Sequence, residues 1–444
     1  MAELEPLYTA EEMREAEAGH DVDAMMQRAG AAVAEEVMRR FPDARRIALH
    51  AGGGANGGDG RIAVEVLRAQ GRELVEERPD VVIDALLGTG LKGAPREETS
   101  RLIEQINSAG VPVLAVDIAS GVNASTGEVA GAAVQADVTV TMHGAKVGLA
   151  VAPGRFLSGE VVAADIGLEA AETEHRLVTA EILTEVPRRS RGDNKYTAGH
   201  VLVVGGSRGV TGAPALAARA ALRADVGYVT IVAPAESLPV LETLVLEAVK
   251  RPLADVFEVA ERAKALAVGP GLGRAEESKA LVRRLLTEVE LPAVVDADAL
   301  FELRPGEWPA PRVLTPHEGE LARLLGRESK QVAAHRLASV QEAAERFDCV
   351  VVLKGEDSLV AAPGSGVLVC ALGRPSLATA GTGDVLTGIT AAFLAKGMEP
   401  RRAAAAACMA QQLASHEVTQ RYGLVASDVI EALPRALALG VGPG

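Results

Sequence analysis

The chain has 444 residues, with 45 Lys and Arg against 60 Asp and Glu, which gives a formal net charge of −15 at pH 7. This length favours two domains, on a prior of roughly 100–200 residues each. The negative charge argues against nucleic acid or an anionic membrane surface as the main partner, although a local nest of backbone amides can still bind phosphate.

The N-terminal stretch MAELEPLYTAEEMREAE is acidic and helix-like. It lacks the apolar core of a signal peptide, so we expect none. A run of about 18 uncharged apolar residues does not occur in the sequence, which predicts no membrane span. The three cysteines, Cys349, Cys370 and Cys408, show no C-x-x-C spacing, which favours reduced, buried thiols in a cytoplasmic protein.

Apolar, β-rich runs alternate with helical patterns in the first part of the chain. The runs that we assign to strands are Ile47–His50, Val81–Leu87, Val113–Ile118, Val138–Met142 and Val161–Asp165. A helical pattern, SRLIEQINSAG, lies between two of them. This alternation predicts an α/β domain with a doubly wound parallel sheet.

A polar stretch without strand rhythm follows, and we place the domain boundary near residue 172. A second alternation then runs from HVLVVGG to CVVVLKG and ends in a helical block. The Ala-rich segment RRAAAAACMAQQLASHEV of this block is predicted to be a packed helix, because Leu, Met and Val recur in and after it. The sequence therefore predicts two α/β domains, residues 1–172 and 173–444.

The stretch AGGGANGGDG has the spacing of the G-x-G-x-x-G dinucleotide fingerprint at Gly52, Gly54 and Gly57. Asp59 does not suit that interpretation, because it adds negative charge where a pyrophosphate needs amides and a positive helix end. An ordinary NAD dehydrogenase is therefore disfavoured. Taken alone, Asp59 is also compatible with the N-cap of the next helix.

Three strands of the first domain finish in polar, glycine-rich loops that carry Asn56 and Asp59, then Asp84, then Asp117 and Ser120. Ligands of open α/β sheets bind beyond the carboxyl ends of the strands, so we expect these loops to converge on one crevice. Oxygen donors without a His or Cys cluster favour a hard cation. The glycine turn after the second strand is suited to phosphate, and a spare carboxylate is suited to carrying a proton. Each aspartate taken singly is also compatible with a structural hydrogen bond in a loop.

The segments GGGANGGDG, DALLGTGLKG, DIASGVNASTG and AKVGL resemble the motifs of the NAD(P)H-hydrate epimerase family, whose pattern reads GNNGGDG, DALFGTG, DIPSGL and KPGL. The resemblance covers about residues 5–170 and implies a Rossmann-like three-layer sandwich. It implies potassium bound by Asn56, Asp84 and Ser120, and Asp117 as a catalytic residue. The implied substrate contacts are Asn56, Gly57, Gly58, Asp59, Gly88, Thr89, Gly90, Leu91, Lys92, Gly93 and Asp117.

The first domain departs from this family in two places. Ala55 stands where the family has the first Asn of its NNGGD motif. Only a short segment separates Asp59 from Asp84, where the family usually holds an additional strand and helix. Two interpretations therefore stay open, an active epimerase domain and a degenerate, structural one.

The stretch TAGTGDVLTGITAAFLAKG is the strongest motif of the second domain. A turn at Gly381–Gly383 leads directly into a helix, so its amides form an anion-binding nest at a helix N-terminus. Asp384 lies at the mouth of this nest, where a carboxylate can take the proton of a hydroxyl that attacks a phosphate. The alternative is an Asp that only starts a helix after a glycine turn.

Other loops of the second domain support a nucleotide site. LKGEDSLVAA places Lys354 and Ser358 after a buried strand, and LTPHEGELARLLG places His317 and Glu320 at a strand-to-helix junction. VGPGLG ends a strand without bulky side chains, which leaves room for a ligand. A G-x-x-x-x-G-K-[ST] motif does not occur, so the sequence does not predict a P-loop NTPase.

The segments GSRGVTGAPALAARAALRADVGYVT, GPGLG, DADAL, TPHEGEL and GTGD resemble the ribokinase-like superfamily, and within it the ADP/ATP-dependent NAD(P)H-hydrate dehydratase family. The match runs from about Thr179 to Pro434 and implies Asp384 as the catalytic base. Glu318 stands where the family usually has Pro. The implied substrate contacts are Gly271, Thr315, Pro316, His317, Glu318, Gly319, Glu320 and Asp384. The implied nucleotide contacts, within Lys354–Ser358 and Arg374–Gly383, are Lys354, Gly355, Glu356, Asp357, Ser358, Thr379, Ala380, Gly381, Thr382 and Gly383.

Together the two resemblances imply repair of hydrated NADH or NADPH, with nucleotide-dependent dehydration by the second domain and epimerisation by the first. They imply K⁺ for the epimerase, Mg²⁺, and ADP or ATP as co-substrate, in a homo-oligomer with small-molecule partners and neither nucleic acid nor membrane. The preferences between ADP and ATP and between the NADH and NADPH hydrates stay open. The alternatives are a dehydratase with an inactive N-terminal domain, a ribokinase-like kinase of a small alcohol, and a purely structural interaction protein.

Overall fold

The computed structural model describes residues 2–420 and 422–439. The chain forms two compact units, of which one is Pro6–His175 and the other is the remainder. We call them the N-terminal unit and the C-terminal unit, and each is described by itself.

The first residues belong to the C-terminal unit, whereas the division drawn from the sequence placed them in the first domain. Leu4 lies in the same apolar core as Val178 and Ile182. The backbone N–H of Ala2 donates to the Glu185 carboxylate at 2.5 Å. These contacts join positions far apart in the chain, so a local sequence pattern does not predict them.

The first strand, β1 (Glu5–Pro6), joins the sheet of the C-terminal unit. The elements of the N-terminal unit are α1 (Ala10–Glu17), α2 (Val22–Arg40), β2 (Arg46–Ala51), α3 (Ala55–Ala69), β3 (Glu73–Leu74), β4 (Val81–Ala85), α4 (Glu97–Asn107), β5 (Val113–Val116), β6 (Val138–Met142), α5 (Val147–Ala150), α6 (Gly154–Leu157) and β7 (Glu160–Ala164). Six parallel strands form one sheet in the order β3-β2-β4-β5-β6-β7. The five predicted strands correspond to β2, β4, β5, β6 and β7.

Both faces of this sheet are covered by helices. Ile47 and Ile83 lie in the core that the sheet shares with α2 and α3. Val82 and Ile103 lie in the core on the other face, which α4 helps to cover. Burial on both faces explains why the strands read as nearly continuous apolar runs instead of alternating ones.

The elements of the C-terminal unit are β8 (Arg176–Leu177), β9 (His200–Val204), α7 (Gly212–Arg223), β10 (Tyr228–Ala233), α8 (Leu238–Leu244), β11 (Val249–Pro252), α9 (Val256–Ala260), β12 (Ala265–Val268), α10 (Glu276–Glu288), β13 (Ala293–Val295), β14 (Arg312–Leu314), α11 (Glu318–Leu325), α12 (Ser329–Ala334), α13 (Arg336–Phe347), β15 (Val350–Leu353), β16 (Ser358–Ala361), β17 (Leu368–Cys370), α14 (Thr382–Ala395), α15 (Pro400–Glu417) and α16 (Ala426–Ala438). Short 3₁₀ turns lie at Ala180–Glu185, Ala235–Ser237, Leu253–Asp255, Ala297–Leu300 and Pro375–Leu377. The strand order is β1-β8-β17-β16-β15-β14-β13-β12-β9-β10-β11.

The strands from β9 to β15 pair in parallel, and β16 runs antiparallel to both β15 and β17. Helices α14 and α15 are almost entirely buried, with Val385, Phe393 and Cys408 in one apolar core. The Ala-rich segment is thus a packed helix, as its pattern predicted. The predicted α/β class with parallel sheets is confirmed. Among the described residues, none of the helices combines the length and the apolar character that crossing a bilayer requires.

Two candidate active sites

The glycine-rich stretch after β2 itself contains the start of α3. Helix α3 begins at Ala55, and its N-cap is Gly54, which makes no side-chain capping bond. Asp59 therefore lies within the helix and is not its N-cap. Gly57 allows the first turn to pack closely, because a Cβ atom there would lie 2.0 Å from the carbonyl oxygen of Gly52.

A cavity of about 640 Å³ lies beyond the carboxyl ends of β2, β4 and β5, where the three predicted loops meet. Met25 and Met26 of α2 form part of its apolar wall. The predicted substrate contacts that line it are Asn56, Asp59, Gly88, Thr89, Gly90, Leu91, Lys92 and Asp117. Three other predicted contacts, Gly57, Gly58 and Gly93, do not line this cavity.

Asp117 is held at the cavity by a buried lysine. Its carboxylate accepts hydrogen bonds from Nζ of Lys146 at 2.5 Å, from the backbone N–H of Met142 at 3.0 Å and from Oγ1 of Thr141 at 3.2 Å. The Lys146 side chain is 1% exposed, and its ammonium also donates to Oγ1 of Thr141 at 2.9 Å and to the Met142 carbonyl at 2.7 Å. These contacts fix the orientation of the Asp117 carboxylate and supply a counter-charge.

Two more carboxyl groups face the cavity. Burial, with the negative charges of Asp117 and Glu17 adding to it, raises the pKa of Asp59 to about 7. Burial also raises the pKa of Glu17, with Asp117 acting in the same direction and Lys146 against it. Near neutral pH, Asp59 is therefore able both to donate and to accept a proton.

Asp84 and Ser120 lie beneath the cavity and do not line it. The fully buried Asp84 carboxylate accepts hydrogen bonds from Oγ and the backbone N–H of Ser120 at 2.6 and 2.8 Å. Burial raises the pKa of Asp84 to about 6, although these hydrogen bonds oppose the shift. No lysine, arginine or histidine of the described chain pairs with this carboxylate.

Oxygen atoms that could bind a cation surround Asp84. The side-chain amide of Asn56 donates to the Leu87 carbonyl at 3.0 Å, and Oγ of Ser120 accepts from the Leu87 N–H at 2.9 Å. Within the part of the chain that the structure describes, no cluster of three or more His, Cys, Asp and Glu side chains is arranged to hold a metal. A carboxylate, a hydroxyl and an amide oxygen fit a hard monovalent cation, whose charge would offset the burial of Asp84.

Sequence reasoning did not select Lys146 or Glu17 as site residues. Lys146 belongs to the AKVGL segment, which served as a motif without a role for its lysine. Glu17 ends α1, and only the tertiary fold brings it to the cavity.

In the C-terminal unit, α14 begins at Thr382 directly after Gly381, whose φ of +92° suits glycine. Gly383 brings this first turn to the carboxyl ends of β13 and β15. A Cβ atom on Gly383 would lie 3.4 Å from Nζ of Lys354 and 3.8 Å from Oδ2 of Asp296. The positive end of α14 therefore lies beside an ion pair.

Asp384 follows in the same turn. Burial is the main cause that raises the pKa of Asp384 to about 7, and the charge of Asp296 adds to it. Lys354 opposes this shift, while Asp298 and Glu320 reinforce it. A carboxyl group with this pKa exchanges its proton near neutral pH, as a general base requires.

Asp296 and Lys354 form the ion pair, with Nζ 2.8 Å from Oδ1. Oγ1 of Thr387 donates to the other carboxylate oxygen at 2.8 Å. Burial acts to raise the pKa of Asp296, but Lys354 and the hydrogen bonds outweigh it, so this pKa is lowered. Burial acts to lower the pKa of Lys354, but Asp296 and Glu320 outweigh it, so this pKa is raised. Both groups therefore keep their charges.

The loop between β14 and α11 is fixed by a capping box. Nδ1 of His317 accepts from the backbone N–H of Gly319 at 3.0 Å, and the Glu320 carboxylate accepts from the His317 N–H at 2.9 Å. Thr315 at the start of this loop is fully buried. Gly271 has a φ of +62° and follows β12 on the same edge of the sheet.

A second cavity, of about 440 Å³, lies beside the N-terminus of α14. The predicted nucleotide contacts that line it are Lys354, Gly355, Glu356, Ser358, Thr379, Thr382 and Gly383, and Arg374 and His317 line it too. Asp357, Ala380 and Gly381 do not. The predicted substrate contacts outside its lining are Gly271, Thr315, Pro316, Glu318, Gly319, Glu320 and Asp384.

Sequence reasoning did not select Asp296, Gln411 or Gln412. Asp296 opens the DADAL segment, which served as a motif without a role for its first aspartate. Gln411 and Gln412 of α15 line the second cavity, and the Gln411 amide donates to the Thr382 carbonyl at 2.6 Å. They lie in the Ala-rich helix, where the pattern indicated only packing.

Two family models match the chain. The model described as NAD(P)H-hydrate dehydratase matches residues 201–435. The model described as YjeF-related protein N-terminus matches residues 22–77 and 69–148. Its two segments overlap around β3, within the short connection between Asp59 and Asp84.

Several relatives match almost the whole chain, all named bifunctional NAD(P)H-hydrate repair enzyme Nnr. The protein of Pyrobaculum aerophilum is 37% identical over 471 residues, with 93% of this chain and 93% of the relative covered. That of Moorella thermoacetica is 35% identical, with 93% and 92% covered. That of Escherichia coli is 33% identical, with 93% and 88% covered.

Solved structures match the C-terminal unit. The ADP/ATP-dependent NAD(P)H-hydrate dehydratase from Bacillus subtilis, co-crystallised with ATP and Mg²⁺, gives a TM-score of 0.54 at 28% identity, covering 59% of this chain and 98% of that one. A ribokinase-like superfamily protein from Enterococcus faecalis gives a TM-score of 0.55 at 23% identity, covering 62% and 99%, and shares the fold. The predicted ribokinase-like fold is confirmed.

Proposed function

The chain belongs to the family of bifunctional NAD(P)H-hydrate repair enzymes, and from this premise we propose how its residues carry out the two reactions. The C-terminal unit dehydrates S-NAD(P)H hydrate with ADP or ATP as phosphoryl donor. The N-terminal unit interconverts the R and S hydrates, so that both can be repaired.

In the dehydratase reaction, Asp384 takes the proton of the C6 hydroxyl of the hydrated ring as its oxygen attacks the terminal phosphoryl group. The new O–P bond forms while the bond to the leaving nucleotide breaks. Loss of phosphate from C6 and of a proton from C5 then regenerates the dihydropyridine. The pKa of about 7 suits Asp384 to this role, since half of its carboxyl groups are ionised near neutral pH.

The N-terminus of α14 and the Lys354–Asp296 pair organise this transfer. The N–H groups of Gly381 and Gly383 stabilise the charge on the phosphoryl group, whereas that of Thr382 donates to the Thr379 carbonyl at 3.3 Å. Asp296 holds Nζ of Lys354 at 2.8 Å, next to that turn, and so positions the ammonium to bind a phosphate. Mg²⁺ bound with the nucleotide would neutralise phosphate charge. The acidic surroundings of Asp384 fit such a cation, because carboxylate and phosphate oxygens are its preferred ligands.

In the epimerase reaction, the hydroxyl at C6 must leave and return on the other face of the ring. Asp117, oriented by Lys146, is the catalytic carboxylate that we place beside this carbon. Asp59 is able to supply a proton to the departing hydroxyl, because its pKa is about 7. The methionines of α2 give the ring an apolar wall.

We assign K⁺ to Asp84, Ser120 and Asn56, beneath the cavity. The supporting observation is the fully buried Asp84 carboxylate, which lacks a cationic partner among the described residues. A cation held by these residues, which come from the loops after β2, β4 and β5, would supply the missing charge. Replacing K⁺ by Li⁺ in the assay should slow epimerisation and leave the dehydration of pure S hydrate unchanged, and equal epimerase rates in both salts would exclude this assignment.

The observation that carries the dehydratase proposal is the position of Asp384 at the N-terminus of α14, beside the Lys354–Asp296 pair and the nucleotide cavity. The test is to incubate the purified protein with S-NADH hydrate, Mg²⁺ and ATP or ADP, and to follow the near-ultraviolet absorbance of the reduced nicotinamide. We expect full recovery of the absorbance, with one phosphate released for each molecule of NADH restored. Accumulation of a stable phosphorylated product would indicate a kinase instead.

A specific observation also favours a second candidate, an inactive N-terminal unit. The family model matches this unit in two overlapping segments at the short connection after α3, where β3 has only two residues. Against it, Asp59 and Asp117 line one cavity, and the buried Lys146 holds the Asp117 carboxylate there. Pure R hydrate with K⁺ discriminates the two, since consumption no faster than spontaneous epimerisation means an inactive unit. The homo-oligomer and the cytoplasmic location stay predictions.

A further inference from the structure

A buried guanidinium joins two loops of the C-terminal site without lining its cavity. Arg336, the first residue of α13, is 4% exposed. Its Nε and Nη2 lie 3.2 and 2.9 Å from the two carboxylate oxygens of Asp357. Its Nη1 donates to Glu318 at 2.5 Å. Two carboxylates, one from the loop after β15 and one from the start of α11, therefore use all three nitrogens of this side chain.

Each of these carboxylates is a chain neighbour of residues that line the nucleotide cavity. Asp357 stands between Glu356 and Ser358, which both line it. Glu318 follows His317, which lines it from the other side and caps α11. The guanidinium thus connects the loop after β15 with the first residue of α11 and does not itself line the cavity.

The surroundings of Arg336 favour an arginine at this position because of its contacts and not because of helix stability. A Cβ atom on Gly355 would lie 2.4 Å from Nη2, so a side chain at this position would displace the guanidinium from Asp357. Helix N-termini disfavour cations, because the helix dipole places positive charge at that end. The stability of α13 does not explain an arginine at its first position, but the two carboxylates do.

We propose that Arg336 is a positioning residue that holds the Lys354–Ser358 loop against α11, so that nucleotide and hydrate meet in one arrangement. This inference rests on the proposed nucleotide site. Arginine is required because its planar fork binds both oxygens of Asp357 and still reaches Glu318. Lysine keeps the charge but has one nitrogen, so it cannot make all three contacts.

The test compares Arg336→Lys with the wild type and with Arg327→Lys. Arg327 pairs with Glu342 of α13 at 2.6 Å, and both side chains are about 40% exposed, so it forms an exposed ion pair with the same helix and does not line the cavity. For Arg336→Lys we expect the Kd and KM for the nucleotide to rise about tenfold while kcat stays within about twofold, because binding geometry is lost and the base is kept. Arg327→Lys should match the wild type.

The outcomes separate this inference from the proposed function. If the wild type fails to bind ADP or ATP, the nucleotide site itself is wrong. If the wild type binds and Arg336→Lys lowers the Tm without changing Kd or KM, Arg336 is structural only and the inference fails. Asp357→Asn provides a second route, since it keeps the shape of the loop and should raise the nucleotide Kd in the same direction. Combining it with Arg336→Lys should add little, because both changes break one contact.

Discussion

The protonation of Asp384 sets the expected pH dependence of dehydration. Its folded-state pKa is raised to about 7, and only the ionised form accepts a proton from the hydrate. The kcat/KM for S hydrate should therefore fall about tenfold for each pH unit below that pKa and level off above it. Steady-state rates at saturating nucleotide across this range measure the profile.

The matching control for this profile is Asp384→Asn. This variant keeps the size of the side chain and removes the base, so we expect a loss of about 10²- to 10⁴-fold in kcat. The nucleotide Kd should change little, because Lys354 and the α14 amides remain. A flat wild-type profile through pH 7, or an active Asp384→Asn protein, would contradict the assignment of the base.

The buried Lys146–Asp117 ion pair should contribute both to the stability of the N-terminal unit and to epimerisation. The Lys146 side chain is 1% exposed and the Asp117 side chain 14%. Lys146→Met should leave the Asp117 charge without its partner and destabilise the N-terminal unit by about 3–5 kcal/mol, while abolishing epimerisation. Thermal unfolding and the R-hydrate assay measure the two effects.

The exposed pair of Arg101 and Glu97 in the same unit provides the comparison for Lys146→Met. Its side chains are 71% and 82% exposed. Arg101→Gln should cost less than about 1 kcal/mol and leave the epimerase rate intact. Equal losses of stability in the two variants would show that burial of the Lys146–Asp117 pair does not increase its contribution to the free energy of unfolding.

At the scale of elements, the packing of α14 against α7 places the catalytic turn. Gly388 lies at this contact, and a Cβ atom there would lie 2.1 Å from the Ala217 carbonyl oxygen. Gly388→Ala should therefore push the helices apart, destabilise the C-terminal unit by about 1–3 kcal/mol and lower kcat by moving Asp384. Calorimetry and dehydratase rates measure both effects.

Gly212, in the first turn of α7, is the control for this helix contact. An added Cβ atom there meets no heavy atom within 4 Å. Gly212→Ala should be neutral or slightly stabilising, because alanine restricts the unfolded chain more than glycine does. A neutral Gly388→Ala would mean that α7 and α14 adjust freely.

The apolar runs of the sequence predicted the strands better than the helix starts. The runs at β2, β4 and β5 are buried on both faces, and such strands have a strong local pattern. Helix α3 begins within the glycine-rich stretch, although Gly57 and Gly58 are poor helix formers. Gly57 packs closely against Gly52 and Gly58 against Met26, contacts that only the fold shows. The strands β16 and β17 were not predicted, although β16 is as long as β5.

The loops of both sites were predictable because glycine and polar residues follow apolar runs. The residues that tune these loops were not. Lys146, Asp296 and Arg336 act through partners 29, 58 and 21 positions away. Sequence spacing carries no information about such contacts, so only the fold identifies them.

At the scale of the whole molecule, the division into two units implies two separable activities. Asp117 belongs to the N-terminal unit and Asp384 to the C-terminal unit, each with its own cavity. Given an equal mixture of R and S hydrates with K⁺, Mg²⁺ and ATP, the wild type should convert all of it in one phase. Asp117→Asn should convert the S half at the wild-type rate and then slow to spontaneous epimerisation.

The opposite variant tests whether the N-terminal unit works without the dehydratase. Asp384→Asn should still equilibrate pure R hydrate with S at the wild-type rate while restoring no reduced nicotinamide. Chiral separation of the hydrates follows the first reaction and absorbance follows the second. Mixing the two variants should then recover single-phase repair, since the S hydrate made by one protein diffuses to the other. A mixture that stays biphasic would mean that the hydrate must pass between units of one chain, whereas a wild type that is itself biphasic would mean that the N-terminal unit is inactive.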